Sequence, residues 1–263
     1  MQAVRHCDDI EGDRFVNFDQ IVRIPYTTLP NFEKYHGPLC HRPPSPEHLA
    51  AKRAMFQDDE IYGWSWFETS ISMRNSLPHK AAEILELSSH CESIKDLALD
   101  LQEDVAILFE GKLEACCFMF PSGWAPETKR GMNFAELHKP VADGERLRAS
   151  GDIITRAMCG TDCLHRSVWG LAASAMLSAH PRYKKNLAPP RSISDVWFRY
   201  EHQITVPIEP GISSLFLVDV QLVPFMDLNA EIRVRVKDSI ASMSENVSGY
   251  KDMAQFKQVL GVV

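Results

Sequence analysis

An α+β fold built on an antiparallel sheet is what the sequence predicts, and three observations predict it. Residues 105–109 and 113–120 are short apolar runs rich in strand formers, joined by Glu110-Gly111-Lys112, and a short link containing glycine closes a hairpin. Residues 195–206 and 212–223 form a second strand pair across a wide turn, Pro207-Ile208-Glu209-Pro210-Gly211. Leu228, Ile232, Val236, Ile240 and Met243 then repeat at helical spacing, so the chain closes with an amphipathic helix that can cover a sheet face.

Taken in order, residues 14–29 alternate loosely and predict one strand beside the core. Residues 36–46, with Pro38, Pro43, Pro44 and Pro46, read as an irregular crossing. Ser45-Pro46-Glu47 supplies a cap, a first-turn proline and an early acid, which starts a helix running to about Asp58. Trp64 and Trp66 lie in a short extended piece, residues 78–87 read as an amphipathic helix, and residues 93–99 as about one turn before the hairpin. After the hairpin the chain turns at Pro121-Ser122. Asn133 caps a short helix, with Glu136 three residues on to reach back, and Lys139 before Pro140 ends it. The polar stretch from Asp143 predicts a helix reaching Arg156, residues 164–176 a strand, and Met253, Phe256 and Leu260 a last short helix.

One residue in this scheme stands out chemically. Phe134, Leu137 and His138 fall at i, i+3 and i+4, so the histidine shares the apolar face of its helix and is expected to point into the core. Two readings follow. A buried imidazole is either hydrogen-bonded to a backbone carbonyl or a ligand for iron, zinc or copper, and spacing does not choose between them. Arg199, Glu201 and Gln203 alternate on one predicted strand and so share a face. They form either a cross-strand salt bridge on a solvated face or a cation, anion and amide aimed into a site.

Composition narrows the classes. Hydrophobic residues at 45% and charged residues at 24% are those of an ordinary soluble globular protein. Without a low-complexity linker in 263 residues, one domain with N-terminal decoration is expected. A formal charge of −7 with no dense Lys/Arg cluster argues against nucleic acid and against an anionic membrane surface as partners. The N-terminus MQAVRHCDDIEGDR has no apolar h-region and no long apolar run follows, so a cytoplasmic protein is expected. Seven cysteines, an odd number, fit reduced thiols better than a disulfide framework. Cys159-Gly-Thr-Asp-Cys163-Leu-His165 is a weak metal signal, since no second Cys or His pair at ligand spacing follows.

Read together, QED (102–104), FPSGW (120–124), KRG (129–131), LHKPV (137–141), RSVW (166–169) and RYEHQ (199–203) resemble the ordered motifs of the haem-dependent oxidative N-demethylase family, in its haem-binding alpha subunit. Tyr250-Lys251 echoes the same family. Met119, Thr128, Ala142 and Val168 depart from its pattern, where Cys, Glu, Pro and Asn are usual. The resemblance covers residues 97–225 and implies a PAS-like antiparallel sheet enclosing haem b, a fold matched by the strand, strand, helices, three-strand order. Residues 1–96 are then N-terminal decoration and 226–263 C-terminal helices.

The resemblance also implies roles. His138 would be the one protein ligand of the iron, and Arg166 would act on the opposite, open side, with Arg156 in reserve. Trp124, Lys129 and Arg199 would sit about the haem edge, Lys129 placed for a propionate. Glu201 would serve as counter-ion for an amine substrate. The implied reaction is O2-dependent oxidation of a small methylated amine with release of formaldehyde. Its rivals are a PAS-type haem sensor or carrier without turnover, and a biosynthetic oxygenase of a larger amine. The chain has neither a G-x-G-x-x-G fingerprint nor four-cysteine cluster spacing. A separate flavin/[2Fe-2S] reductase drawing on NADPH is therefore the implied partner.

Overall fold

The computed structural model describes residues 18–57, 63–88, 90–184 and 187–262. Its centre is one antiparallel sheet of seven strands: β1 (Glu33–Lys34), β2 (Trp66–Glu68), β3 (Asp104–Phe109), β4 (Lys112–Cys117), β5 (Leu164–Ala172), β6 (Trp197–Glu209) and β7 (Ser213–Pro224). Across the sheet they run β1-β5-β6-β7-β3-β4-β2. The five long strands therefore lie in the order β4-β3-β7-β6-β5, with helices inserted between β4 and β5.

The first hairpin is tighter than the sequence suggests. Lys112 pairs with Phe109, which leaves Glu110 and Gly111 as a two-residue turn, both at positive φ (48° and 76°). That is the primed turn whose twist matches the strands it joins, and the glycine makes its second left-handed position cheap. β5 stops at Ala172 instead of Met176, because Ala172 pairs with Trp197, the first residue of β6, and the ladder has no further partner. The single helix expected from Asp143 to Arg156 is two, Glu145–Ala149 and Gly151–Met158, parted at Ser150.

Both faces of the sheet are covered. Cys116 and Cys117 point to opposite sides of β4 and both are fully buried. One apolar cluster joins β3, β4 and β7 to the helices Leu77–Ile84 and Ile94–Leu99. A second unites Trp169, Phe198 and Tyr200 on β5 and β6 with Ile232, Val236 and Ile240 of the helix Ala230–Ala241, and with Phe256 and Leu260 of the helix Ala254–Leu260.

The strand expected within residues 14–29 is a correction. Residues 14–17 lie outside those described, and beyond them the chain forms a short helix, Phe18–Ile21, then an irregular path. The backbone acceptors there are taken by side chains of the C-terminal helix: Arg235 Nε donates to Val22 O at 2.7 Å and Ser239 Oγ to Arg23 O at 2.6 Å. With those carbonyls satisfied, and Pro25 lacking an N–H, no strand ladder is needed.

The QED motif ties the N-terminal third to this sheet. Gln102 accepts from Ser45 N and donates to Asp219, Glu103 accepts from the His41 amide, and Asp104 accepts from Met119 N and Phe120 N. At the centre Lys52, fully buried, donates to the carbonyls of Ala98, Leu101 and Glu103 and stands 3.9 Å from Asp104. Among the described residues no helix is long and apolar enough to cross a membrane.

Candidate active site

His138 caps the C-terminal end of the helix Phe134–Leu137. The predicted capping box is present: Glu136 N donates to Asn133 Oδ1 at 3.0 Å and Asn133 N to Glu136 Oε2 at 2.9 Å. The imidazole folds back over its own helix, 3.9 Å from the Phe134 ring centroid, with Nδ1 2.8 Å from Phe134 O. A carbonyl only accepts, so Nδ1 carries the proton and Nε2 keeps its lone pair. Burial lowers the ring's pKa to about 4, opposed by that carbonyl and helped by nearby Arg166, so it is neutral at physiological pH. The ring does not enter a closed core as the periodicity suggests. It is partly buried and lines a cleft.

The cleft exists because β5 is nearly an edge strand. β1 pairs only with its first two residues, Leu164 and His165, and the remaining edge is covered by side chains and irregular chain. Residues 20–31 lie along that edge, Val141 and Leu147 close the side nearest His138, and Tyr250 and Lys251 come from the C-terminal end. Together they enclose a cavity of about 170 Å³, smaller than the roughly 300–1,000 Å³ typical of cofactor and ligand pockets, which opens to solvent at its mouth.

Arg166 and Val168 line the same cleft from β5. Directly opposite on β6 stand Gln203 and Glu201, so the four side chains share a face. They are wired in series. Arg166 Nε donates to Gln203 Oε1 at 2.7 Å, Gln203 Nε2 donates to Glu201 Oε2 at 2.8 Å, and Ser122 Oγ donates to Glu201 Oε1. The guanidinium also lies over the Phe32 ring at 5.5 Å. Burial pushes the pKa of Arg166 down, and Glu201 pulls it back up. The amide of Gln203 is thus the link that balances an arginine in the cleft against an acid beside it. Gln203→Leu is expected to lower unfolding stability by about 1.5–3 kcal/mol, the cost of leaving a charged donor without its acceptor, as read by denaturant titration. A change within 0.5 kcal/mol, inside the range of an ordinary surface substitution, would show that Arg166 needs no such partner.

The remaining residues singled out in the sequence lie elsewhere. Arg199 donates to Ser122 Oγ and to the carbonyls of Leu177 and Phe120, and so binds the corner at 120–122 to the sheet. Trp124 packs on Phe118 at 5.0 Å, Lys129 ends the turn Pro126–Lys129, and Arg156 is exposed with Nε donating to Asp152 O. None of these four is among the described residues lining the cleft. Conversely, the cleft contains Arg23 and Tyr26, which no local pattern marks, and Lys251, legible only as half of a two-residue echo.

The residues present fit a haem. A neutral imidazole with its tautomer held by a carbonyl is the ligand form iron takes, and the Nδ1–H bond to Phe134 O is the kind that orients such a ligand. The cations in the same cleft suit the carboxylates of such a group, and the macrocycle itself would have to widen the cleft.

A family model described as "HODM_asu-like: haem-dependent oxidative N-demethylase, alpha subunit-like" matches residues 54–261. The match extends beyond both ends of the stretch that carries most of the motifs. A search of curated proteins finds no match.

Proposed function

The chain belongs to the family of haem-dependent oxidative N-demethylase alpha subunit-like proteins, and from that premise we propose that it is a PAS-like haem b oxygenase acting on a small methylated amine. The observation that carries the reading is His138, neutral and tautomer-fixed, lining one cleft with Arg166. The strand order β4-β3-β7-β6-β5, which is 2-1-5-4-3 among the five long strands, supports the PAS-like description.

Haem bound there supplies O2 activation, using electrons from a separate flavin/[2Fe-2S] reductase fed by NADPH. The methyl group leaves as formaldehyde while O2 takes two electrons and two protons, one oxygen atom going to formaldehyde and the other to water. In this reading His138 Nε2 holds the iron, and the Nδ1–H to Phe134 O bond fixes the ring's orientation. Arg166, held by Gln203 and balanced by Glu201, presents a fixed positive donor to developing negative charge, with no rearrangement needed during reaction. Val168, opposite Glu201, makes the wall beside that donor apolar and admits the methyl-bearing part of a substrate.

The test is direct. The purified protein should show a Soret band at about one haem per chain. With a surrogate reductase it should release formaldehyde from one or more of a panel of methylated amines and N-methyl amino acids. A haem protein that binds O2, CO or NO reversibly and forms no formaldehyde would be a sensor or carrier instead. Arg166→Ala should retain its haem while formaldehyde production falls about a hundredfold, as when one preorganised donor is removed. A fall below about threefold would take Arg166 out of the reaction.

A further inference from the structure

The cleft's charge is one-sided. Its described lining contains three cationic side chains, Arg23, Arg166 and Lys251, and no aspartate or glutamate, in a chain with 35 acidic residues against 28 basic ones. Arg166 has its acid close by, through Gln203 to Glu201. Lys251 has a different environment. Its ammonium donates to Trp169 O on the β5 edge at 2.8 Å and lies 5.3 Å from the Tyr26 ring centroid and 5.9 Å from that of Trp169. A carbonyl and two aromatic faces steady a cation without neutralising it, and among the described residues Lys251 makes no ion pair. Arg23, on the N-terminal segment that covers the same edge, donates through Nε to Gln20 O at 3.2 Å. Leu29 and Tyr250, 43% and 49% exposed, mark this end as the opening to solvent.

Gathering like charges in a partly desolvated cleft is unfavourable unless something bound there is negative. We propose that Arg23 and Lys251 form a carboxylate-binding subsite at the mouth of the cleft, its carboxylate coming either from a haem propionate or from the substrate itself. Lys251 is the anchor, and its bond to Trp169 O holds it at the β5 edge. The first source rests on the haem reading above, so the test begins without iron.

Apoprotein is titrated by fluorescence with metal-free protoporphyrin IX and with its dimethyl ester. Haem-loaded protein is titrated, by the Soret change, with N-methylglycine and with dimethylamine, which lacks the carboxylate. If propionates are held, wild type binds the diacid at least about tenfold tighter than the diester, the worth of one charge-assisted hydrogen bond. Lys251→Gln, which removes the charge and keeps an N–H donor, removes that preference and Lys251→Arg restores it. If instead only the N-methyl amino acid is preferred over the amine, and Lys251→Gln erases that preference, the substrate supplies the carboxylate. Equal binding within both pairs, or preferences untouched by Lys251→Gln and Arg23→Gln, would overturn the subsite. The haem reading fails separately, if ferric haem binds no tighter than the metal-free porphyrin.

Discussion

Haem-loaded protein in which His138 is replaced by alanine is expected to lose its Soret band, or to retain only weakly and non-stoichiometrically bound haem. The reason lies in the proposed site: if one imidazole is the protein's ligand, nothing else would replace the iron–nitrogen bond. The fold should survive. His138 caps its helix through its backbone amide, which donates to Phe134 O at 3.1 Å, and the ring is only partly buried. A stability loss of about 1 kcal/mol, typical of a single substitution, is expected from the lost ring contact with Phe134. Added imidazole should restore the spectrum of the His138→Ala protein by occupying the vacated position. Stoichiometric haem with an unchanged spectrum in that variant would overturn the ligand assignment and turn attention to Cys159 and Cys163, since thiolate also holds haem. Burial pushes both thiols above their ordinary pKa, which disfavours the thiolate form each would need.

Lys52→Met is expected to be the most destabilising single change away from the cleft, at about 3–5 kcal/mol. Three carbonyls accept from Nζ, so three N–H groups are required and the side chain is an ammonium. Burial presses its pKa down, and Asp104 is the largest influence raising it again. Methionine keeps most of the volume and removes every donor. The three carbonyls are then stranded in the interior, and the Asp104 carboxyl, whose pKa burial already raises to about 6, loses its cation. In a chain this long each kcal/mol lowers Tm by roughly 2–4 °C, so a drop on the order of 10 °C is expected in a thermal melt. A loss under 1 kcal/mol would mean that the knot at residues 102–104 does not depend on its ammonium. The knot spans the helix Pro46–Gln57, β3 and the corner at 119–120, so the damage should spread to the sheet that carries Arg166.

What the sequence determined by itself was local. The capping box around Asn133, the helix begun at Ser45-Pro46-Glu47, both hairpins and the alternation of Arg199, Glu201 and Gln203 depend on residues a few positions apart, so spacing and side-chain chemistry suffice to read them. Its motifs also carried the resemblance that the family match bears out.

Tertiary structure decided which of these features meet. Alternation puts Arg199 and Glu201 on one face but cannot say that Arg199 spends its donors on the carbonyls of Phe120 and Leu177, while Gln203 reaches Arg166. The QED motif reads as three polar residues. Only folding gives them Ser45, His41, Asp219 and the amides of Met119 and Phe120 as partners. The segment after Phe18 alternates like a strand, yet Arg235 and Ser239, more than two hundred residues later, satisfy its carbonyls and leave it irregular. The cleft itself draws Arg23, His138, Arg166 and Lys251 from four separate parts of the chain. Backbone hydrogen bonds must be satisfied and charges balanced wherever the folded chain brings them, and the partners that do this are neighbours in space with no signature in local sequence.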